Sequence, residues 1–234
     1  MKSVIVAGVG PGIGGMTARY LASRGYRLAL ISRSDYGRKV AEETASWHAR
    51  CDLLDPAETA KSIVSAAGAL GGADAVVHAA GGYYARKTLD ETDDGFFTAS
   101  LLNNAKTFYN VARASAPYFK KRGGGVIVAF SAAPNVYLHS HAGYAAGKGG
   151  VEFMVRLFAK ELAGDGIRVN CVSPGFFAKT GGQPVRSQEP LQKTGRYSPI
   201  HVAQAVEFLI EDDIMTGQSV VVDGGASLTV RPGE

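Results

Sequence analysis

Short apolar runs alternate along this chain with longer stretches in which apolar positions return every three or four residues. SVIVAG (3–8), RLALIS (27–32), SWHARC (46–51), AVVHAA (75–80), GVIVAF (125–130), IRVNCVSP (167–174) and QSVVVDG (218–224) read as strands. Most lack period-two alternation and are apolar throughout, the pattern of strands covered on both faces. Between them, MTARYLASR (16–24), a long segment over about 94–121 and VEFMVRLFAKELA (151–163) read as helices. Strands alternating with helices predict parallel strands and right-handed crossovers. The expected fold is α/β: a single doubly wound parallel sheet (Rossmann fold) with helices on both faces. No linker, low-complexity run or internal repeat breaks the pattern, so residues 1–234 read as one domain.

The 151–163 helix has more apolar surface than one face needs. Val151, Met154, Val155, Phe158 and Leu162 make one stripe, and Phe153 and Leu157 lie off it. Two readings stand side by side: a helix buried between the sheet and other helices, or a subunit interface.

The length of 234 residues allows a substantial core. The formal charge of +4 is mild. The longest basic cluster, KKR (120–122), precedes three glycines and reads as a solvated helix end, where cations suit the macrodipole. Neither a nucleic-acid surface nor a membrane partner is expected. Cys51 and Cys171 lie far apart, with no disulfide framework or zinc spacing, which suits a reducing compartment. The apolar start MKSVIVAGVG is broken by glycine too soon for a signal peptide or a membrane span. A soluble, cytoplasmic protein is the expectation.

GVGPGIGG (8–15) follows the first strand and opens a helix. Glycines let the backbone approach a ligand closely, and free N–H groups at the helix start face an anion. Gly10, Gly12 and Gly15 fit GxGxxG; Gly8, Gly12 and Gly14 fit GxxxGxG. The strand ends at Gly8, which favours the second register and places Ile13 within the loop. The absence of GK[ST] sets an NTPase P-loop aside. At the tip of the second strand, Ser32 and Arg33 stand where an acidic residue would select NAD. A guanidinium can hold a 2′-phosphate bidentately, which favours NADP over NAD. Asp35 comes late for the ribose and reads as the cap of a helix beginning near Tyr36.

Ser131 ends the fifth strand; Tyr144 follows thirteen positions later and Lys148 four after that. Four residues make about one helical turn, so Tyr144 and Lys148 share a face. A nearby ammonium is expected to lower the phenol's pKa from about 10. Such a Tyr can pass a proton to or from an alcohol oxygen, with Ser131 holding that oxygen. The glycines around this pair let a cofactor or a second helix come close.

Together these features resemble the short-chain dehydrogenase/reductase family, in its short branch, which includes 3-oxoacyl-carrier-protein reductases. The resemblance rests on GVGPGIG (8–14), CDLLD (51–55), HAAGG (78–82), LLNNAKTF (101–108), the Ser131/Tyr144/Lys148 set, RVNCVSPG (168–175) and TGQSVVVDGG (216–225). It implies Tyr144 as acid/base, Lys148 as its partner and a ribose ligand, and Ser131 as the substrate-orienting hydroxyl. Asn103, with Asn104 as the register alternative, resembles the relay asparagine. Asp52 and Leu53 fall on the adenine side. Ala80 and Gly81 line the cofactor; Pro174 and Gly175 form the turn by the nicotinamide, and Thr180 the hydroxyl near it. The implied substrate is a small carbonyl or alcohol, a 3-oxoacyl thioester among others, and the implied assembly is a homotetramer or homodimer. The alternatives are an NAD-dependent sugar or alcohol dehydrogenase and a non-catalytic dinucleotide sensor.

Two departures stand out. The family's NNAG is HAAG here, with His78 and Ala79, so an asparagine brace between strands and the adenosine side is missing. The segment after Pro174, the family's substrate lid, is compact and implies an open or shallow pocket. His139 and His141 form an HxH without a third ligand, so no metal is expected. Tyr83 and Tyr84 read equally as pocket wall or ordinary loop aromatics. With Tyr137, Phe176 and Phe177 they hint at an apolar substrate.

Overall fold

The computed structural model describes residues 1–176 and 198–228. Seven strands form one parallel sheet: β1 (Ser3–Ala7), β2 (Arg27–Ser32), β3 (Trp47–Arg50), β4 (Ala75–His78), β5 (Gly125–Phe130), β6 (Ile167–Pro174) and β7 (Ser219–Val222), in the order β3-β2-β1-β4-β5-β6-β7. Strands β2, β5 and β6 keep the bounds read from the sequence, and the others lose only terminal residues.

Side chains alternate across the sheet, and both faces are covered. Val4, Val6, Leu28 and Leu30 pack with helices α1 (Ile13–Ser23), α2 (Asp35–Glu43) and α8 (Pro199–Glu211). Ile5, Ala7, Ile31 and Ile127 face α3 (Pro56–Ala69), α5 (Thr107–Arg122) and α7 (Ala142–Leu162). Burial on both faces is why the strands read as unbroken apolar runs. Strand order reverses at β1, whose neighbours are β2 and β4. In an open α/β sheet the crevice beyond that reversal, at the strands' C-terminal ends, is where ligands bind.

The long segment predicted over 94–121 is three pieces. Helix α4 (Asp94–Leu101) starts at Asp93, whose carboxylate accepts the Phe96 N–H at 2.8 Å. A π-helical turn (Leu102–Lys106) follows and runs into α5. Helix α5 ends at Gly123, in the left-handed conformation at φ 83°. Its last turn carries Lys120 and Arg122, which pair with Asp165 and Asp74. A short helix, α6 (Pro134–Tyr137), precedes α7. Among the described residues, no helix is long and apolar enough to cross a membrane.

Candidate active site

The glycine-rich turn is shaped by close approach. Gly8 leaves β1 with φ +101°, and a Cβ there would lie 2.2 Å from the Ala80 nitrogen. A Cβ on Gly14 would lie 2.7 Å from the Gly8 carbonyl and 3.1 Å from the Ala79 side chain. Two of the three glycines of the GxxxGxG register, Gly8 and Gly14, are therefore needed to seat the turn against the exit of β4. Gly15, from the other register, is also tight, 2.5 Å from the Gly10 carbonyl by the same measure. Gly12 is different: it is the N-cap of α1 and nothing stands within 4 Å of its Cβ position. That free space beside the first N–H groups of α1 fits a dinucleotide's diphosphate. Ile13 opens the helix and packs on the core below.

At the adenosine end two expectations change. Ser32 is buried; its hydroxyl donates to the Ser34 carbonyl at 2.8 Å and lies 2.9 Å from His48 Nε2. It faces into the protein, where Gly37 leaves it only just enough room, so its side chain does not reach a ligand. Asp35 is not a cap: it is the first residue of α2, and Ser34 holds the N-cap position. Arg33 is free to meet a ligand, with its side chain 63% exposed and Nη1 4.0 Å from Asp52 Oδ2. Asp52 is half-exposed, and its other oxygen accepts the Leu54 N–H at 3.0 Å. Leu53 is a core side chain, and its carbonyl accepts from Asn110 Nδ2 at 2.8 Å. What it can offer a cofactor is therefore not its side chain.

Ser131, Tyr144 and Lys148 come together beyond β5. All three are buried. The Ser131 hydroxyl donates to the Lys148 carbonyl at 2.9 Å, and Lys148 Nζ donates to the Phe130 carbonyl at 2.9 Å. Nζ stands 5.9 Å from the centre of the Tyr144 ring. The expected lowering of the Tyr144 pKa is not what the site produces. Burial, with Tyr84 adding, pushes Tyr144 up to about 12. Burial also pushes Lys148 down to about 8. Desolvation outweighs the ammonium because Nζ is turned to a backbone carbonyl.

The glycines of α7 admit another helix. A Cβ on Gly143 would lie 2.6 Å from the Phe97 carbonyl, and one on Gly147 would lie 2.9 Å from Asn104 Cβ. Helix α4 and the π-turn lie directly against this face. The contact carries Asn104 to Lys148. Asn104 is fully buried, and its Nδ2 donates to the carbonyls of Gly82 at 3.0 Å and Ser100 at 2.8 Å. Among the described residues, its Oδ1 has no hydrogen-bond partner. Oδ1 and Lys148 Nζ flank Gly81, at 2.7 and 3.2 Å from its Cβ position. Asn103 instead donates to Ala99, back along its own helix, at 2.8 Å. The favoured register is thus corrected by one residue. A π-turn holds more residues than an α-turn, so helical spacing mispoints by one there.

His78 replaces the missing asparagine with a different brace. Its Nε2 lies 2.9 Å from Thr107 Oγ1, and Thr107 donates onward to the Asn103 carbonyl at 2.7 Å. The brace runs from β4 to the π-turn. Ala79 supplies only a methyl, against Gly14.

The turn after β6 is held at both ends. The Pro174 carbonyl accepts from Ala133 at 2.9 Å, and Gly175 N–H donates to Val222 at 2.9 Å. Thr180, Phe177 and most of the lid lie outside the described residues. Tyr84 stands edge-on to Tyr144, with ring centres 5.5 Å apart, and Tyr83 packs on Phe96 instead. His139 and His141 each donate to a backbone carbonyl, of Asn135 and Tyr83 respectively. Sequence reasoning gave no role to Thr107 or His141. His141 was within reach, since it lies three residues before Tyr144, but Thr107 carries no sequence signal.

A family model described as Enoyl-(Acyl carrier protein) reductase matches residues 8–227. The chain is 34% identical to a 3-oxoacyl-[acyl-carrier-protein] reductase of Bos taurus, covering 98% of this chain and 99% of the relative. It is 31% identical to a D-xylose 1-dehydrogenase of Caulobacter vibrioides, covering 96% and 95%. Among solved structures, a short-chain type dehydrogenase/reductase from Mycobacterium marinum superposes with a TM-score of 0.85 at 27% identity, covering 97% and 96%. A glycine turn with an open diphosphate cradle, a buried Tyr–Lys pair beyond β5 and near full-length kinship converge: the chain belongs to the short-chain dehydrogenase/reductase family of nicotinamide-dependent oxidoreductases.

Proposed function

We propose that this protein reduces a ketone with NADPH, working as one domain and as a homo-oligomer. The observation that carries it is geometric: Ser131, Tyr144 and Lys148 are buried together beyond β5, and the kinship to 3-oxoacyl reductases supports the reducing direction. Tyr144, at about 12, is a neutral phenol at physiological pH and a competent donor to a developing alkoxide. When bound, the reduced nicotinamide supplies the hydride. Tyr144 gives its proton to the carbonyl oxygen, and Ser131 holds that oxygen. Lys148, at about 8, exchanges a proton near neutral pH and restores the phenol. Asn104 offers its unpartnered Oδ1 as the next polar atom on that path.

Gly8, Gly12 and Gly14 would hold the diphosphate, and Pro174 and Gly175 the nicotinamide side. The exposed Arg33 supports NADP, since it presents a guanidinium where a 2′-phosphate would lie. The kinship to 3-oxoacyl reductases makes a 3-oxoacyl thioester a natural substrate to try first. Self-association is supported by Phe153 and Leu157 on α7, which are 71% and 51% exposed.

Titration with NADPH and NADH, followed by nucleotide fluorescence, tests the reading. Tight NADPH and weak NADH binding is expected, with Arg33→Ala raising the NADPH Kd at least about tenfold and leaving NADH unchanged. Tyr144→Phe keeps binding and lowers turnover about 10²- to 10⁴-fold. A preference for NADH would overturn the NADP assignment and point to the oxidation reading. Binding of neither would overturn the cofactor assignment.

A further inference from the structure

Residues 81–85 form a strap over the catalytic tyrosine, and its backbone is unusual. Gly81 and Gly82 have φ of +153° and +137°, and Tyr83 follows at φ +64°. An aromatic residue enters that left-handed region only when its surroundings hold it there. Three hydrogen bonds tie the strap to residues 139–141. His141 Nε2 donates to the Tyr83 carbonyl at 2.7 Å, the Tyr84 hydroxyl donates to the His139 carbonyl at 3.3 Å, and Ser140 Oγ donates to the Ala85 carbonyl at 3.2 Å.

The outcome is the placement of one ring. Tyr84 meets the Tyr144 ring edge-to-face at 5.5 Å and 86°, and meets the Phe176 ring at 5.5 Å and 81°. Ala132, Ala133 and Val136 pack with Tyr144 and Phe176 as an apolar floor. Rings held this way offer quadrupole-matched contact to another flat ring. An alkyl group of the same size gains only its buried area.

His141 is fully buried against Phe96, with ring centres 4.7 Å apart. Because its Nε2 donates to Tyr83, its Nδ1 is left buried without a partner. An apolar side chain would fill the same place without stranding a polar atom. What the imidazole adds is the bond to the strained carbonyl.

We propose that Tyr84 determines specificity at this site by selecting carbonyl substrates with a flat apolar group, aryl or conjugated, beside the reacting carbon, and that His141 is its positioning residue. This rests on the ketone-reduction reading above. The test compares ethyl benzoylacetate with ethyl acetoacetate, two β-keto esters that differ by phenyl for methyl. Initial rates with NADPH are read as kcat and KM, and binding is read by calorimetry with NADP and without dinucleotide. The native protein should favour the phenyl ester at least tenfold in kcat/KM and in binding. Tyr84→Ala should remove most of that preference through the KM of the phenyl ester. His141→Leu should do the same, and His141→Gln, which keeps a donor, should restore it. Equal use of the two esters, or a preference that survives Tyr84→Ala, overturns the specificity role. Equal loss on both esters in His141→Leu, without rescue by Gln, overturns the positioning role. A phenyl preference in binding that depends on Tyr84 without turnover upholds the proposal and sinks the reduction reading instead. Binding of neither ester sinks the proposal.

Discussion

His78 sits at 0% exposure between β4 and the π-turn, bonded through one nitrogen only. Thr107 spends its proton on the Asn103 carbonyl, so His78 must donate from Nε2 and leave Nδ1 bare. A second proton would land on Nδ1 where nothing accepts it. Burial, with Lys148 adding, holds the imidazole down at about 3. The unfolded chain takes up that proton near pH 6.5 and the folded chain does not, so stability is full above about 6.5 and falls as pH drops toward 3. Urea unfolding at pH 7.5 and pH 5 should therefore show the native protein losing about 2 kcal/mol more than His78→Asn. An identical pH dependence in the two proteins would mean the site admits the proton. At this scale the sequence told which side chains meet beyond β5 but not how their protonation is tuned. Tyr144 and Lys148 were legible from their spacing. Their pKa directions were not, because desolvation depends on what packs over them.

On the scale of elements, the informative unit is α7 against α4 and the π-turn. The glycines of AGYAAGKGG (142–150) weaken a helix by about 1 kcal/mol each relative to alanine. Contact with Phe97 and Asn104 requires two of them. Among the described residues, nothing lies within 4 Å of the Gly149 Cβ position, and no contact requires this glycine. Gly143→Ala should destabilise by about 1–3 kcal/mol through overpacking against a carbonyl that cannot yield. Gly149→Ala should stabilise by up to about 1 kcal/mol. Thermal or urea melts decide, and equal effects at the two positions would contradict the packing account. This contact also explains why the apolar pattern marks the helix only over 151–163 while the Tyr144–Lys148 spacing already implied a helical turn before it; the helix runs from Ala142. Local propensity argues against helix over 142–150, and only the neighbouring helix reverses it.

Across the whole molecule, the sheet order places the glycine turn, Ser131 and the Pro174–Gly175 turn along one edge. Helix α7 also carries Phe153 and Leu157, which no described residue covers. Phe153→Glu with Leu157→Glu should convert an oligomer into monomers in light scattering after gel filtration, with the fold retained by circular dichroism. A native protein already monomeric would remove the self-association reading. Val151 and Val155 are core, as the buried reading of this helix expects, whereas Phe153 and Leu157 are open, and their role in self-association is the proposal this variant tests.

The sequence by itself determined the layer order of this protein, because strands buried on both faces must be apolar throughout. It also determined the Gly8–Gly14 turn and the Tyr144–Lys148 spacing, since both are local geometry. Tertiary structure alone decided which asparagine faces Lys148, where Ser32 and Leu53 point, and how far burial moves the Tyr144 and Lys148 pKa values. Those depend on a π-turn, a neighbouring helix and excluded water, and all three are set by residues far away along the chain.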